Sequence, residues 1–253
     1  MKIYRIHFAI LLSVVLAHSA PVRPESRSMP AADNTDSAYD LDSLHALLKA
    51  QQPITWVFTG DSVTEGAKWT GGSRAYSEIF SERIRWEMKR ERDIVINTAI
   101  SGNTTDDILD DFYWRIGHLH PNIVSLMIGI NDSVRGPAGE PAFESNLRRL
   151  VEGIRAIHAI PILQTTNWTL EEPLRADLPA YNAIVRKVAT SERVILVDNW
   201  QYWQKHRTSQ DLWEWLGNPI HPNGLGHAEI AHRMFLTLGI NDPCSAMLKL
   251  GNP

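Results

Sequence analysis

A hydroxyl, an imidazole and two amide or glycine donors recur along this chain in an order that could carry acyl transfer. The stretch Ile54 to Gly66 reads Ile-Thr-Trp-Val-Phe-Thr-Gly-Asp-Ser-Val-Thr-Glu-Gly, so that an apolar, β-favouring run ends abruptly at Gly60-Asp61-Ser62. Such a strand ending in a turn exposes a hydroxyl, and Ser62 is the candidate nucleophile. A serine attacks a carbonyl only when a base takes its proton and fixed donors meet the oxyanion. Later blocks offer those partners: Gly102 in Ser-Gly-Asn, Asn131 in Gly-Ile-Asn-Asp, and His221 in Asn218-Pro-Ile-His-Pro-Asn. Gly102 lets a backbone N–H approach an oxyanion closely, the Asn131 amide can donate to the same oxygen, and His221 could take the Ser62 proton. Each alone has a plainer reading as a turn or loop residue.

The elements expected to position these residues alternate. Strands are read at Ile54–Phe58, Asp93–Ala99, Ile123–Ile128, Pro161–Thr165 and Val194–Val197. Helices are read at Leu41–Ala50, Ala75–Arg90 (apolar at Ile79, Ile84 and Trp86), from Thr104 or Thr105 to Gly117, at Ala142–His158 and at Leu178–Thr190. A helical turn is expected at Leu212–Trp215, and a final helix capped by Asn223 runs to Leu238. Alternating short strands and helices imply a parallel sheet covered on both faces, with ligands at the carboxyl ends of the strands. Ser62, Gly102 and Asn131 follow strands one, two and three, and His221 precedes the last helix.

With 253 residues, 43% hydrophobic, the chain suits one α/β domain. A balance of 25 Lys+Arg against 29 Asp+Glu supplies no global positive field, so nucleic acid is not an expected partner. Lys2 and Arg5 precede an apolar run from Phe8 to Ala17, too short for a membrane span of about 20 residues, so residues 1–20 read as a secretory signal peptide, secreted or periplasmic, with no stable membrane anchor. Residues 21–40, rich in Pro, Ser, Ala and Asp, read as an exposed leader before a domain at 41–253. Cys244 is the only cysteine, which excludes an intrachain disulfide, and it is expected to be a small packed residue.

Taken together, the four blocks resemble the SGNH, or GDSL-like, hydrolase family, across roughly Ile54 to Leu238. The resemblance implies a three-layer α/β/α sandwich on a five-stranded parallel sheet, flavodoxin-like, with Ser62 as nucleophile, His221 as base, and an oxyanion hole of the Ser62 N–H, Gly102 and Asn131. It implies no metal or organic cofactor. The family's last block is usually Asp-x-x-His, and here Asn218 stands at the Asp position. Three readings stay open: a Ser-His pair assisted by Asn218 or a backbone carbonyl, a substitute carboxylate such as Asp198 or Asp211, or lost catalysis.

Asp61 and Asp132 are expected to bond nearby backbone. His118 with His120, and His227 with His232, lack the spacing of metal ligands. Asn103-Thr-Thr, Asn131-Asp-Ser and Asn167-Trp-Thr match glycosylation acceptors by coincidence. Among nine tryptophans, Trp69, Trp168, Trp213 and Trp215, together with Trp200 and Trp203, are expected on the ligand side of the sheet, with the first four as candidate sugar-stacking residues. A carbohydrate O-acetylesterase is the leading expectation. The alternatives are a lipase, phospholipase or thioesterase of the same fold, and a noncatalytic glycan-binding relative.

Overall fold

The computed structural model describes residues 37–66, 68–170, 175–208 and 211–249. The expected signal peptide and most of the expected leader lie outside the described residues. The first helix, α1, spans Ser37–Lys49. It therefore takes in the last four residues assigned to the leader, and Asp40 is buried and bonded to Arg155.

Five parallel strands follow: β1 (Thr55–Gly60), β2 (Ile94–Asn97), β3 (Ile123–Met127), β4 (Ile160–Gln164) and β5 (Ile195–Val197). Their order is β2-β1-β3-β4-β5, the flavodoxin-like order, with register such as Val57 opposite both Ile96 and Val124. Strand side chains alternate between two cores, as a pleat requires. Trp56, Phe58, Ile123, Met127, Ile162 and Val197 join one core; Val57, Val124, Leu126 and Leu163 join the other. Helices α6 (Glu140–Ala156) and α7 (Leu178–Ser191) cover the second core through Phe143, Leu147, Leu150 and Val188. On the first, α1 and the last long helix, α9 (Gly224–Leu238), pack through Leu44, Ile230, Met234 and Phe235. Burying each such side chain stabilises by about 1.5–3 kcal/mol, so both faces depend on their helices.

Three elements depart from expectation. The helix begun by α3 (Tyr76–Glu82) passes into a π-helical turn at Arg83–Glu87, closed by Met88 N–H donating to the Arg83 carbonyl. The extra residue in that turn rotates Trp86 outward to 60% exposure, so it is not an inward residue of the helix. The helix expected to reach Gly117 breaks at Asp111 into α4 (Thr105–Asp110) and α5 (Phe112–Arg115). Asn199–His206, where no helix is expected, is helical because Asp198 caps it by accepting from Gln201 N–H. Cys244 is exposed rather than packed, in a turn after α9.

Candidate active site

Ser62 stands where β1 runs into a single-turn helix, α2 (Ser62–Glu65). Gly60 has φ +153, and a Cβ there would lie 2.1 Å from the Met127 carbonyl oxygen, so only glycine lets the strand end this close to β3. Asp61 caps the turn, its Oδ1 accepting from Val63 N–H at 3.0 Å. Ser62 itself is 6% exposed. As the first residue of a helix, its own N–H has no intrahelical acceptor.

A buried polar tie joins the next two strand ends to each other. Asp132 Oδ1 accepts from Thr105 N–H at 3.0 Å and from Thr105 Oγ1 at 2.6 Å, joining the loop after β3 to the loop after β2. Asn131 Nδ2 donates to the Asn103 carbonyl at 2.9 Å, and the Arg115 guanidinium donates to Asn103 Oδ1. Gly102, between these partners, has φ +86, while a Cβ there would meet nothing within 4 Å. Glycine is therefore required at 102 by its conformation, not by space. Asp61 bonds nearby backbone as expected, whereas Asp132 bonds the backbone and hydroxyl of Thr105 in another loop.

The His221 loop is fixed by a bridge between Leu216 and Pro222 and by its neighbours. Gly217 N–H donates to the His221 carbonyl, Leu170 N–H to the Pro219 carbonyl, and Asn167 Nδ2 to the Ile220 carbonyl, each at 2.9 Å. Trp69 stacks on the imidazole with ring centres 4.2 Å apart and planes 11° from parallel. His221 Nε2 lies 2.8 Å from Ser62 Oγ, and Nδ1 lies 3.1 Å from Asn218 Oδ1. That same Oδ1 accepts from Ile220 N–H and His221 N–H at 2.9 Å each, which fixes the amide with its oxygen toward the ring. An oxygen can only accept here, so Nδ1 carries the ring proton and Nε2 is bare to receive the Ser62 proton. Burial pushes the imidazole down to about 4, and the positive charge of Arg175 adds to the effect. The ring is thus neutral, the form a base needs.

Neither alternative carboxylate bonds this histidine. Asp198 receives Arg186 at 2.7 and 3.0 Å and caps its helix, and Asp211 accepts from Thr208 Oγ1 at 2.6 Å. Of the four candidate sugar-stacking tryptophans, only Trp69 touches the Ser-His pair. Trp213 is 52% exposed on the segment preceding the His221 loop, and Trp168 packs partly against the core. Trp215 is a correction: it is buried, edge-on to Trp203 with centres 5.0 Å apart, under the Arg207 guanidinium. Trp200 and Trp203 are buried with it, because α8 (Asn199–His206) turns them into the core.

Two site residues escaped the sequence reading. Asn167 is fully buried and bonded to the His221 loop, so its glycosylation motif has no accessible amide. Its position just after β4 was the available clue, since three other site residues also follow strands. Arg175 acts electrostatically on His221 and Asp61, and nothing in its local sequence marks it.

Burial drives Asp61 up to about 7, with Asp132 contributing repulsion, while the Val63 N–H bond opposes the rise. The folded state therefore holds this proton between about pH 4 and 7 where the unfolded state has lost it, so Asp61 makes stability fall as pH rises through that window. His221, lowered to about 4, has the opposite sign: only the unfolded chain is protonated up to about 6.5, and stability rises with pH. Asp61→Asn keeps an oxygen for the cap and removes the first effect. The expected result is a melting-temperature advantage of the variant that grows from pH 5 to pH 8. An advantage that stays constant across this range would show that Asp61 is ionised throughout.

A family model described as GDSL-like Lipase/Acylhydrolase matches residues 58–229. Among curated proteins, the Escherichia coli K12 thioesterase 1/protease 1/lysophospholipase L1 is 26% identical over 177 residues, covering 69% of this chain and 78% of that protein. An acetylxylan esterase of Geobacillus stearothermophilus is 23% identical over 203 residues, covering 72% of this chain and 93% of that one. An uncharacterized Mycoplasma pneumoniae protein is 36% identical over 127 residues, which make up half of this chain but only 14% of that protein's length. Among solved structures, an α/β hydrolase from the metagenome of Lake Arreo, Spain, superposes with TM-score 0.65 at 24% identity, covering 76% of this chain and 99% of that one. The Geobacillus acetylxylan esterase superposes with TM-score 0.60 at 24% identity, covering 74% and 95%. These structural likenesses establish the shared fold, and the matched span includes every block from Ser62 to His221: the chain belongs to the GDSL-like lipase/acylhydrolase family of ester hydrolases.

Proposed function

We propose that this protein is a secreted serine esterase that removes a small acyl group, acetyl above all, from a carbohydrate. The observation that carries the mechanism is the 2.8 Å contact of Ser62 Oγ with His221 Nε2, backed by Asn218 Oδ1 at Nδ1. In this reading His221 takes the Ser62 proton as Oγ bonds the ester carbonyl carbon. The oxyanion is met by the Ser62 and Gly102 backbone N–H groups and by the Asn131 N–H not engaged with Asn103. The carbon–oxygen ester bond then breaks, the imidazolium returns the proton to the sugar oxygen, and water repeats the sequence on the acyl-enzyme.

The substrate class is supported by the match to nearly the whole acetylxylan esterase and by the indoles of Trp69, against the imidazole, and Trp213, on the segment before its loop. The test compares release of acetate from acetylated xylo-oligosaccharides with hydrolysis of aryl esters of increasing acyl length. Acetyl preferred over octanoyl by at least tenfold, with turnover on the acetylated sugar, supports the reading. A long-acyl preference would favour the thioesterase-like or lipase-like alternative, and no turnover with retained glycan binding would favour the noncatalytic one. Secretion rests on residues 1–20, and the N-terminal sequence of the mature protein tests it: a start near residue 21 is expected.

The oxyanion assignment has its own expected result. Asn131→Ala lowers kcat by about 10² to 10³ with little change in KM, because the donated bond strengthens only as charge develops on oxygen. A variant altered in KM alone would place Asn131 against the ground-state substrate.

A further inference from the structure

The His221 ring has a hydrogen-bond partner at each nitrogen and an indole over one face. Nε2 meets Ser62 Oγ, Nδ1 meets Asn218 Oδ1, and Trp69 lies 4.2 Å away between ring centres with planes 11° from parallel. That indole arrives from the nucleophile's own turn. Helix α2 ends at Gly66, whose N–H donates to the Ser62 carbonyl at 3.0 Å, and Trp69 N–H in turn donates to the Gly66 carbonyl at 3.1 Å. Gly66 has φ +77, and a Cβ there would lie 2.4 Å from Ala75 Cβ, so a larger residue would spread the turn that sets Trp69 in place. The base's loop closes on it from the other side. A Cβ on Gly217 would lie 2.9 Å from the Trp69 carbonyl oxygen, so the start of the His221 loop runs directly against the Trp69 backbone. Trp69 Nε1 is buried with no hydrogen-bond partner among the described residues, a cost that packing alone gives no reason to carry.

When Ser62 gives its proton to Nε2 the ring becomes an imidazolium, and the neutral amide of Asn218 sets no negative charge against it. An indole face can. Its π-electrons present negative potential, tryptophan's most of all the aromatic side chains, and they attract a cation lying within about 6 Å of the ring centre. The 4.2 Å separation falls inside that reach, and the imidazole is half-buried, which limits screening by water. Lys68, with Nζ 5.6 Å from the same ring centre, is exposed and therefore makes the weaker kind of contact. We propose that Trp69 is a positioning residue of the hydrolysis: its indole fixes the plane of the His221 ring and stabilises the imidazolium formed during attack, in place of the carboxylate that position 218 lacks. This rests on the reading of Ser62 and His221 as nucleophile and base. The indole face turned to the imidazole is closed to a sugar, so the effect belongs to kcat and extends to esters that have no ring to stack.

The experiment measures kcat and KM of the full chain at pH 8 on ethyl acetate and on acetylated xylo-oligosaccharides. At that pH His221, pushed down to about 4 by burial, is neutral in the free enzyme, so kcat reads how readily the imidazolium forms. Trp69→Leu is expected to lower kcat on ethyl acetate by about ten- to thirtyfold at nearly constant KM, and Trp69→Phe, which keeps an aromatic face, by about threefold. Shape and charge are then separated at this one position. Tryptophan carrying one, two and three ring fluorines, incorporated only at residue 69, keeps the contact area but drains the π-face, so kcat should fall stepwise while KM and melting temperature hold. A fluorine series that leaves kcat unchanged overturns the proposal and makes Trp69 a packing residue. A Trp69→Leu variant normal on ethyl acetate and raised in KM on the oligosaccharide overturns it too, by assigning the indole to sugar stacking. If Trp69→Leu does not fold, the fluorine series decides. Ser62→Ala separates the two layers: an unresponsive kcat in the fluorine series while Ser62→Ala is dead on ethyl acetate overturns the Trp69 assignment alone, whereas turnover surviving Ser62→Ala overturns the underlying mechanism.

Discussion

Replacing Ser62 by alanine is expected to lower kcat for aryl acetate hydrolysis by about 10⁶-fold, and His221→Ala by a similar factor, because nucleophile and base act as a unit. The double variant should then be little worse than either single one. The fold has little reason to respond. Ser62 occupies the first position of a short helix, alanine fits there, and the only hydrogen bond its hydroxyl makes to a described side chain is the one to His221. Far-ultraviolet circular dichroism and the melting temperature should match the wild type within a few degrees, so a lost rate is a lost group rather than a lost structure. A serine variant retaining more than a tenth of wild-type turnover would place the nucleophile elsewhere.

The parts of this site legible from sequence were those whose residue type and chain position are both constrained. Gly60 must be glycine because β3 leaves no room for a Cβ, Gly102 because of its positive φ, and Asn223 because its side chain caps α9 by accepting from Gly226 N–H. Strands buried on both faces appear as continuous apolar runs, so the sheet could be read directly, down to the strand count. Other features depend on contacts between distant segments and leave no local trace. The tie of Asp132 to Thr105 spans 27 residues, the hold of Asn167 on Ile220 spans 53, and the charge of Arg175 acts on a histidine of a distant segment. The tryptophans show the same limit: Trp69 and Trp215 both precede or follow site loops, yet one stacks on the base and the other fills the core. Indole chemistry suits either place, and only the path of α8 and the turn after it separates them.

Asn218 carries the other large effect. Its Oδ1 holds three N–H groups at once, those of Ile220, His221 and the imidazole Nδ1, so Asn218→Ala frees the loop and the ring tautomer together. A fall of about 10³-fold in kcat is expected, comparable to losses when the orienting member of a Ser-His-Asp site is disabled. Asn218→Asp is the opposite case. A carboxylate in the same place accepts the same three bonds and adds a negative charge against the ring, which stabilises the imidazolium formed as Ser62 attacks. At pH 8 kcat should rise by about 10- to 100-fold, the effect of a nearby opposite charge on a half-buried imidazole. The gain has a price in acid. Wild-type kcat/KM should rise with pH through an apparent value near 4, where burial and Arg175 hold His221, and the added carboxylate should move that limb up by about one to three units. At pH 5 the variant then loses much of its advantage, because more of its imidazole is already protonated and cannot accept from Ser62. Asp61, which ionises near pH 7, is present in both proteins and cancels in the comparison. The measurement is the pH profile of kcat/KM from 3.5 to 8.5 for wild type, Asn218→Asp, Asp198→Asn and Asp211→Asn. Should Asn218→Asp move neither limb nor rate while one of the Asp→Asn changes cripples the enzyme, the orienting partner of His221 is that aspartate; should the limb move upward as expected, an asparagine does here what a carboxylate does in relatives, at the cost of the imidazolium's counter-charge.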